Sequence, residues 1–298
     1  MTFGALIDRT FRDFLEVVSE QTAQAPISST VATGASTVTH DDVLTPEEAA
    51  RLAVGAFVEI NREVMFVTAY DSGTRQLTVR REMLGSPLQE HASGDMLRIA
   101  PRYTRHTVFE TLADEIDGLW PGLWSVTRSE AFELENALWW VPDVYAQDII
   151  SARAQIGMSG WEPIQVHREP KLADYPDGMP IRTTSLPKNS RVQVEYRRRL
   201  VRPTSENDTL ASLGLDASWD MIVIYGALAT MFAGREFERE TTEYLSQVLA
   251  MAVPGVELGR RSSVGAAFLR VRQNKLDNAI RALMVEYPIE VEMHDPLA

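Results

Sequence analysis

The amino-acid sequence predicts an α+β protein, in which a helical body of N-terminal, central and C-terminal helices carries two inserted antiparallel β modules. Apolar residues recur at helical spacing in residues 3–18, 104–123 and 219–283, which is typical of helices buried along one face. Between these segments, residues 54–100 and 126–198 contain short runs that alternate apolar and polar side chains. That alternation is typical of half-exposed antiparallel strands.

The first half of the chain begins with a predicted helix whose apolar side includes Phe3, Leu6 and Ile7. A segment rich in Ser, Thr, Ala and Gly follows and is typical of a linker that enters short strands. The runs VGAFVEI, EVMFVTAY, QLTVR and MLRIA then predict a small antiparallel barrel or meander, with Asn61-Arg62 as one turn. Before them, Thr45-Pro46-Glu47-Glu48 predicts a helix start with a capping box.

The second half repeats this alternation of structure. A central helix is predicted to end at Trp120-Pro121-Gly122, and Val192, Val194 and Tyr196 alternate with polar residues in a second β-rich region. Helical spacing returns after Trp219, and the final segment EYPIEVEMHDPLA lacks a helix pattern and is predicted to be an extended tail. The predicted division is residues 1–20 (N-terminal helix), 21–101 (small β module), 102–125 (central helix), 126–203 (second β-rich module), 204–285 (C-terminal helices) and 286–298 (tail).

Composition limits the classes of function. The formal net charge of −13 disfavours non-specific nucleic-acid binding, because an acidic surface repels phosphates. The chain has no cysteine, which excludes disulfides and thiol nucleophiles and makes most structural zinc sites impossible. No segment has the length and apolarity of a membrane span, and charged residues interrupt the N-terminal segment. The protein is expected to act in a cytoplasm or in a particle assembled there.

The segment RREMLGSPLQEHASGD, residues 80–95, is the best candidate for chemistry because it brings Ser86, His91 and Asp95 close together in sequence. A catalytic triad would require these side chains to converge, and their spacing does not favour convergence. The favoured interpretation is a structural loop, in which Gly85 and Gly94 permit positive φ and His91 pins the loop to the strands. No catalytic residue, cofactor site or metal site is therefore predicted, and none of the five histidines has metal-ligand spacing on a helix.

Two further groups of residues predict contacts with other proteins. Adjacent Trp139 and Trp140 must point to opposite faces of a strand, so one of them is expected to contact another layer or another subunit. Basic residues are concentrated in a C-terminal segment, whose candidates for partner contact are Arg260, Arg261, Arg270, Arg272, Lys275, Arg281 and Tyr287. A solvated helix face is the alternative explanation for this segment.

Four segments, in this order, resemble the head-to-tail adaptor (connector) proteins of long-tailed bacteriophages: the helix at 3–18, LTVRREMLGSPLQEHASGDMLRIAP, TVFETLADEIDGLWPGLW and WDMIVIYGALATMFAGREFERETTEYLSQVL. The second segment is similar to a pattern of virion proteins with a strand ending in Arg, a glycine-rich turn, His and a further Gly. Its structural loop residues here are Arg81, Gly85, Ser86, His91 and Gly94. Glu82 departs from the pattern, since Gly is usual at that position.

The resemblance implies a non-enzymatic virion protein at the neck between capsid and tail, assembled in the host cytoplasm. It implies a homo-oligomeric ring, twelvefold in such adaptors, that binds the portal protein and the next neck or tail protein, a stopper or tail terminator. DNA would pass through the channel without specific binding, and no membrane contact is implied. The alternative interpretation is a minor tail or baseplate protein whose β modules bind a host-surface glycan.

Overall fold

The computed structural model describes residues 1–16, 23–133, 138–155, 160–168, 178–183, 186, 190–233 and 264–287. Most regular structure in these ranges is β, with fourteen strands and five α-helices. The α-helices are α1 (Phe3–Thr10), α2 (Pro46–Arg51), α3 (Arg105–Gly118), α4 (Asp220–Met231) and α5 (Val264–Glu286). The predicted fold class, a helical body with two small inserted β modules, is therefore wrong.

Six strands of the first half form one curled antiparallel sheet in the order β1-β6-β3-β4-β5-β2. The strands are β1 (Gln24–Pro26), β2 (Thr37–Thr39), β3 (Phe57–Ile60), β4 (Glu63–Asp71), β5 (Gln76–Arg80) and β6 (Met96–Ile99). The two outer strands meet beyond their ends, where Ile27 bridges His40 and the Ser28 N–H donates to the Thr39 carbonyl at 2.8 Å. These bonds join the two edges of the sheet just beyond β1 and β2 and so pair edge groups that would otherwise be exposed there.

Local sequence signals explain the connections in this sheet. Asn61 adopts a positive φ of 54° in the tight turn between β3 and β4, which Asn tolerates better than most residues. The capping box of α2 is confirmed, since the Thr45 side chain accepts from the Glu48 N–H and the Glu48 carboxylate accepts from the Thr45 N–H. The interior of the sheet is apolar and includes Val58, Ile60, Met65, Leu77 and Leu97.

The second β region contains two further sheets. A five-stranded sheet has the path β11-β10-β14-β7, with β8 also paired to β14, and a three-stranded sheet has the order β12-β13-β9. The strands are β7 (Ser125–Arg128), β8 (Phe132–Glu133), β9 (Leu138–Val141), β10 (Ala146–Gln155), β11 (Trp161–Pro163), β12 (Val166–Arg168), β13 (Met179–Thr183) and β14 (Arg191–Arg198). Alternate residues of β14 are buried with Val141, Ala154 and Ile181 in a separate apolar core.

Helix α4 is buried on all sides, with nine of its twelve residues buried. It packs closely on α5, because Gly265 of α5 lies against backbone atoms of Ala229, Phe232 and Ala233, and an added Cβ there would come within 3.1 Å of them. The predicted helical spacing from Trp219 onward corresponds to α4 in the described residues. The rest of that predicted helix, residues 234–252, lies outside them.

The described residues form two compact units. One contains residues 5–112 and therefore the six-stranded sheet, and the other contains residues 1–4 together with the described residues from 113 to 287. Each unit has its own core of buried apolar residues, which lie mainly on its β-strands. The helical-body prediction fails for this reason: period-two alternation in both β regions builds complete apolar cores, so the sheets are the main layers and not appendages.

Candidate functional site

The segment between β5 and β6, residues 81–95, is anchored to the first sheet through one buried carboxylate. Glu63, the first residue of β4, is fully buried. The Arg81 guanidinium donates to it twice, from Nε to Oε1 at 2.8 Å and from Nη2 to Oε2 at 2.5 Å. A two-point pair of this kind fixes the direction of both side chains as well as neutralising the carboxylate.

His91 completes this cluster from the other end of the segment. Its Nε2 lies 2.9 Å from Glu63 Oε2, and the His91 side chain is fully buried. The Gln89 N–H donates to the same carboxylate oxygen at 3.1 Å. Burial alone would raise the pKa of Glu63, but the hydrogen bonds from Arg81, Gln89 and His91 outweigh burial and hold that pKa below its usual value. Glu63 is therefore an ionised anchor at neutral pH.

Backbone hydrogen bonds attach the same segment to the strands. His91 and Val31 exchange N–H to carbonyl bonds of 2.8 and 3.1 Å, and the Gly94 N–H donates to the Ile27 carbonyl at 2.9 Å. The buried Ser86 hydroxyl accepts from the Val64 N–H at 2.9 Å. The segment is thus held along its whole length, although it has little regular secondary structure.

Four residues of the segment adopt left-handed backbone conformations. They are Glu82, Leu84, Gly85 and Gly94, with φ of 56°, 57°, 76° and 94°. Glycine takes this conformation without steric cost, whereas other L-residues pay about 1 kcal/mol or more. Glu82, the position at which the sequence departs from the virion pattern, therefore still takes the backbone conformation that glycine favours.

The three residues of the apparent triad have other partners. Ser86 bonds to the Val64 backbone, His91 to Glu63, and the Asp95 carboxylate accepts from the Ala92 N–H at 3.0 Å and from Asn61 Nδ2 at 3.1 Å. Within the described residues, no hydrogen bond joins Ser86, His91 and Asp95 to one another. Nucleophilic catalysis requires the hydroxyl to bond to its base, so this geometry suits anchoring and does not suit acyl transfer.

The basic C-terminal segment is only partly within the described residues. Arg260 and Arg261 lie outside them, whereas Arg270 and Arg281 are exposed on α5. The half-buried Arg272 pairs with Glu115 of α3 at 2.5 Å, so it already serves a contact within the chain. Lys275 is partly buried, and Tyr287 directly follows the helix.

The two adjacent tryptophans lie on strand β9. In its register with β13, Trp139 is opposite Ile181 and Trp140 is opposite Pro180. The conformations of the two tryptophan side chains lie outside the described part of the chain. Of the predicted tail, residues 288–298 are also outside it.

Sequence patterns did not reveal three carboxylates that have partners inside the fold: the buried Glu63 and Glu59, and the half-buried Glu115. Glu59 of β3 lies against the first turn of α3, and Glu115 of α3 lies against Gly226 of α4 while pairing with Arg272. The one available signal for Glu59 was a charged residue between Val58 and Ile60 in a strongly apolar strand, since such a residue needs a polar partner inside. No sequence signal connects Glu115 with Arg272.

In the described residues, no group of three or more His, Asp or Glu side chains is arranged to hold a metal ion. None of the described helices is long and apolar enough to cross a membrane. Comparison with protein-family models gives no match, and comparison with curated proteins gives none either. Conclusions on function therefore depend on the geometry and on the sequence resemblance.

Proposed function

We propose that this chain is a non-enzymatic virion protein that forms the head-to-tail adaptor ring between the portal and the tail of a long-tailed bacteriophage. The observation that carries the proposal is the construction of the segment with the virion-like pattern. Arg81 and His91, ten positions apart in the sequence, both bind Glu63, while Gly85 and Gly94 take positive φ. The five pattern positions of this segment, Arg81, Gly85, Ser86, His91 and Gly94, therefore each have a structural role in one connected loop.

The charge of the chain suits a DNA channel. An acidic excess, 42 Asp and Glu against 29 Lys and Arg, supports passage of DNA without adhesion, because like charges repel at short range. The ring would bind the portal protein on one side and the next neck or tail protein on the other. Exposed Arg270 and Arg281 on α5 are the described basic residues best placed to contact an acidic portal surface, since Arg272 is engaged with Glu115.

The test is the mass of the purified chain alone and after mixing with the portal protein of the same virus. Native mass spectrometry should show a ring-sized homo-oligomer and a larger complex with the portal. The double substitution Arg270→Glu and Arg281→Glu should weaken portal binding by about tenfold or more, because it replaces attraction with repulsion at an interface.

The matched control is Arg80→Glu, which reverses an exposed charge on strand β5 and leaves helix α5 unchanged. This variant should bind the portal as the unaltered chain does. A chain that stays monomeric and does not bind the portal would contradict the proposal. Binding to host-surface glycans on an array, without portal binding, would instead favour a tail or baseplate protein.

A further inference from the structure

An open groove lies between the start of α4 and the C-terminal half of α5. Its volume is about 410 Å³, and its apolar lining includes Trp219, Ile222, Ala279, Ala282 and Leu283. This size is within the range of about 300–1,000 Å³ that is usual for binding pockets. The groove can therefore hold one or two apolar side chains of a partner.

Three charged residues line the groove: Asp216, Lys275 and Glu286. Asp216 accepts from the Ser218 N–H at 2.7 Å, and Glu286 is hydrogen-bonded to Tyr287. The Lys275 ammonium, in contrast, makes no ion pair with any described residue. An occupant that places a carboxylate beside Lys275 would pair with this ammonium while its apolar side chains contact the groove.

The chain itself presents such a surface on residues 82–88, which we call the leucine loop. The side chains of Leu84 and Leu88 are 61% and 40% exposed, and Glu82 is exposed beside them. Leu84 keeps its left-handed conformation, with φ 57°, while its carbonyl accepts from His106 Nε2 at 3.2 Å. An exposed apolar side chain held in a costly conformation points to an interaction role.

The leucine loop is also prepared for binding. The cluster of Arg81, Glu63 and His91 and the bond from the Val64 N–H to Ser86 hold the loop in place before any partner arrives. Association then costs little additional ordering of the loop, which favours affinity. The buried cluster of Arg81, Glu63 and His91 therefore fixes the position of the exposed leucines.

We infer that the leucine loop of one copy of this chain enters the α4–α5 groove of a second copy, with Glu82 next to Lys275. The two patches consist of different residues, so the contact is head-to-tail, and repeated contacts of this type close into a ring or extend into a filament. This inference rests on the proposed function, because an adaptor ring requires a head-to-tail interface. It adds the residues of that interface.

Disulfide crosslinking tests the contact cleanly because the chain has no cysteine. The single variants Leu84→Cys and Ala282→Cys are mixed, allowed to associate and oxidised. A disulfide requires Cα atoms within about 7 Å, so a dimer that disappears on reduction would place the two residues together. In the control experiment, the Val54→Cys variant is mixed with Ala282→Cys in place of Leu84→Cys. Val54 is another exposed apolar residue, 70% exposed, and this mixture should give no dimer.

A charge exchange tests the pairing of Glu82 with Lys275. Glu82→Lys and Lys275→Glu should each weaken self-association about fivefold or more, and the double variant should restore it. Glu47→Lys, an exposed charge reversal on α2, should not restore association when combined with Lys275→Glu.

The outcomes separate this inference from the proposed function. If the chain forms a ring but crosslinking does not exceed the Val54→Cys control, the interface lies elsewhere and the inference is wrong while the ring stands. If the groove variants leave self-association unchanged and reduce portal binding, the occupant is the portal. A chain that forms no oligomer with or without the portal would overturn both proposals.

Discussion

Glu59 is a fully buried carboxyl, and the described residues form hydrogen bonds with only one of its two oxygens. Oε1 accepts from the His106 N–H at 3.1 Å, at the start of α3, while Oε2 has no hydrogen-bond partner among the described residues. Burial raises the pKa of Glu59 to about 7, although the backbone N–H groups of Arg105 and His106 act in the opposite direction. The charge of this residue therefore changes close to neutral pH.

Glu59→Gln should remove a pH dependence of stability. The folded-state pKa of about 7 lies above the ordinary value of 4.5, so the stabilising contribution of the neutral carboxyl is complete below pH 4.5 and is lost as pH rises to 7. The free energy of unfolding of the unaltered chain, relative to Glu59→Gln, should fall by about 3 kcal/mol from pH 4.5 to pH 8. Urea denaturation at several pH values measures this difference.

The control for this prediction is Glu47→Gln, because Glu47 is exposed on α2. The free energy of unfolding of Glu47→Gln should differ from that of the unaltered chain by a constant amount over the same pH range. A constant difference for Glu59→Gln as well would show that Glu59 ionises as an exposed carboxyl does.

Glu82→Gly should stabilise the protein by about 1 kcal/mol. Glu82 has φ 56° and ψ 35°, and glycine adopts this left-handed conformation without the steric cost that a Cβ imposes. The added stability should appear as a higher denaturant concentration at the midpoint of unfolding. The slope of the unfolding free energy against denaturant concentration should not change. Glu90→Gly serves as the control, since Glu90 has no positive φ and the same substitution should there be neutral or destabilising. Equal effects at both positions would contradict the prediction.

At the scale of elements, the packing of α3, α4 and α5 depends on one glycine. A Cβ on Gly226 of α4 would lie 2.1 Å from Cδ of Glu115, whose carboxylate pairs with Arg272 of α5. Burial raises the pKa of Glu115, and the Arg272 charge opposes that rise. Any movement of Glu115 therefore disturbs a half-buried ion pair as well as helix contact.

Gly226→Ala should destabilise the protein by about 1–3 kcal/mol, because the new methyl group displaces Glu115 from Arg272. In an uncrowded helix the same change stabilises by up to about 1 kcal/mol. Gly118→Ala, near the end of α3, is the matched control, since no atom lies within 4 Å of the added Cβ. Chemical denaturation should give opposite signs for the two variants, and a stabilising Gly226→Ala would refute the packing argument.

Local elements were predicted where neighbouring residues decide them. The capping box at Thr45 and the alternation of Val192, Val194 and Tyr196 needed no knowledge of distant residues. The class of fold was predicted wrongly, because helical spacing in short segments does not reveal whether helices or sheets form the main layers. That balance depends on how many strands pair, and pairing is a long-range property.

At the scale of the whole molecule, the absence of cysteine leaves packing, hydrogen bonds and association as sources of stability. The proposed ring predicts that the thermal midpoint rises with protein concentration, because subunits that bind only in the folded state stabilise it by mass action. Calorimetry over a hundredfold concentration range measures this. The charge-reversed variant Lys275→Glu should show a weaker dependence, whereas Glu47→Lys should match the unaltered chain.

The sequence by itself determined the periodic strands, the helix start at Thr45 and the glycine positions of the anchored loop, because each follows from a residue and its near neighbours. Only the tertiary structure decided which charges meet. Arg81 and His91 reach Glu63 across 18 and 28 residues, and Arg272 reaches Glu115 across 157. Ion-pair partners depend on the path of the chain in space, so no local pattern specifies them.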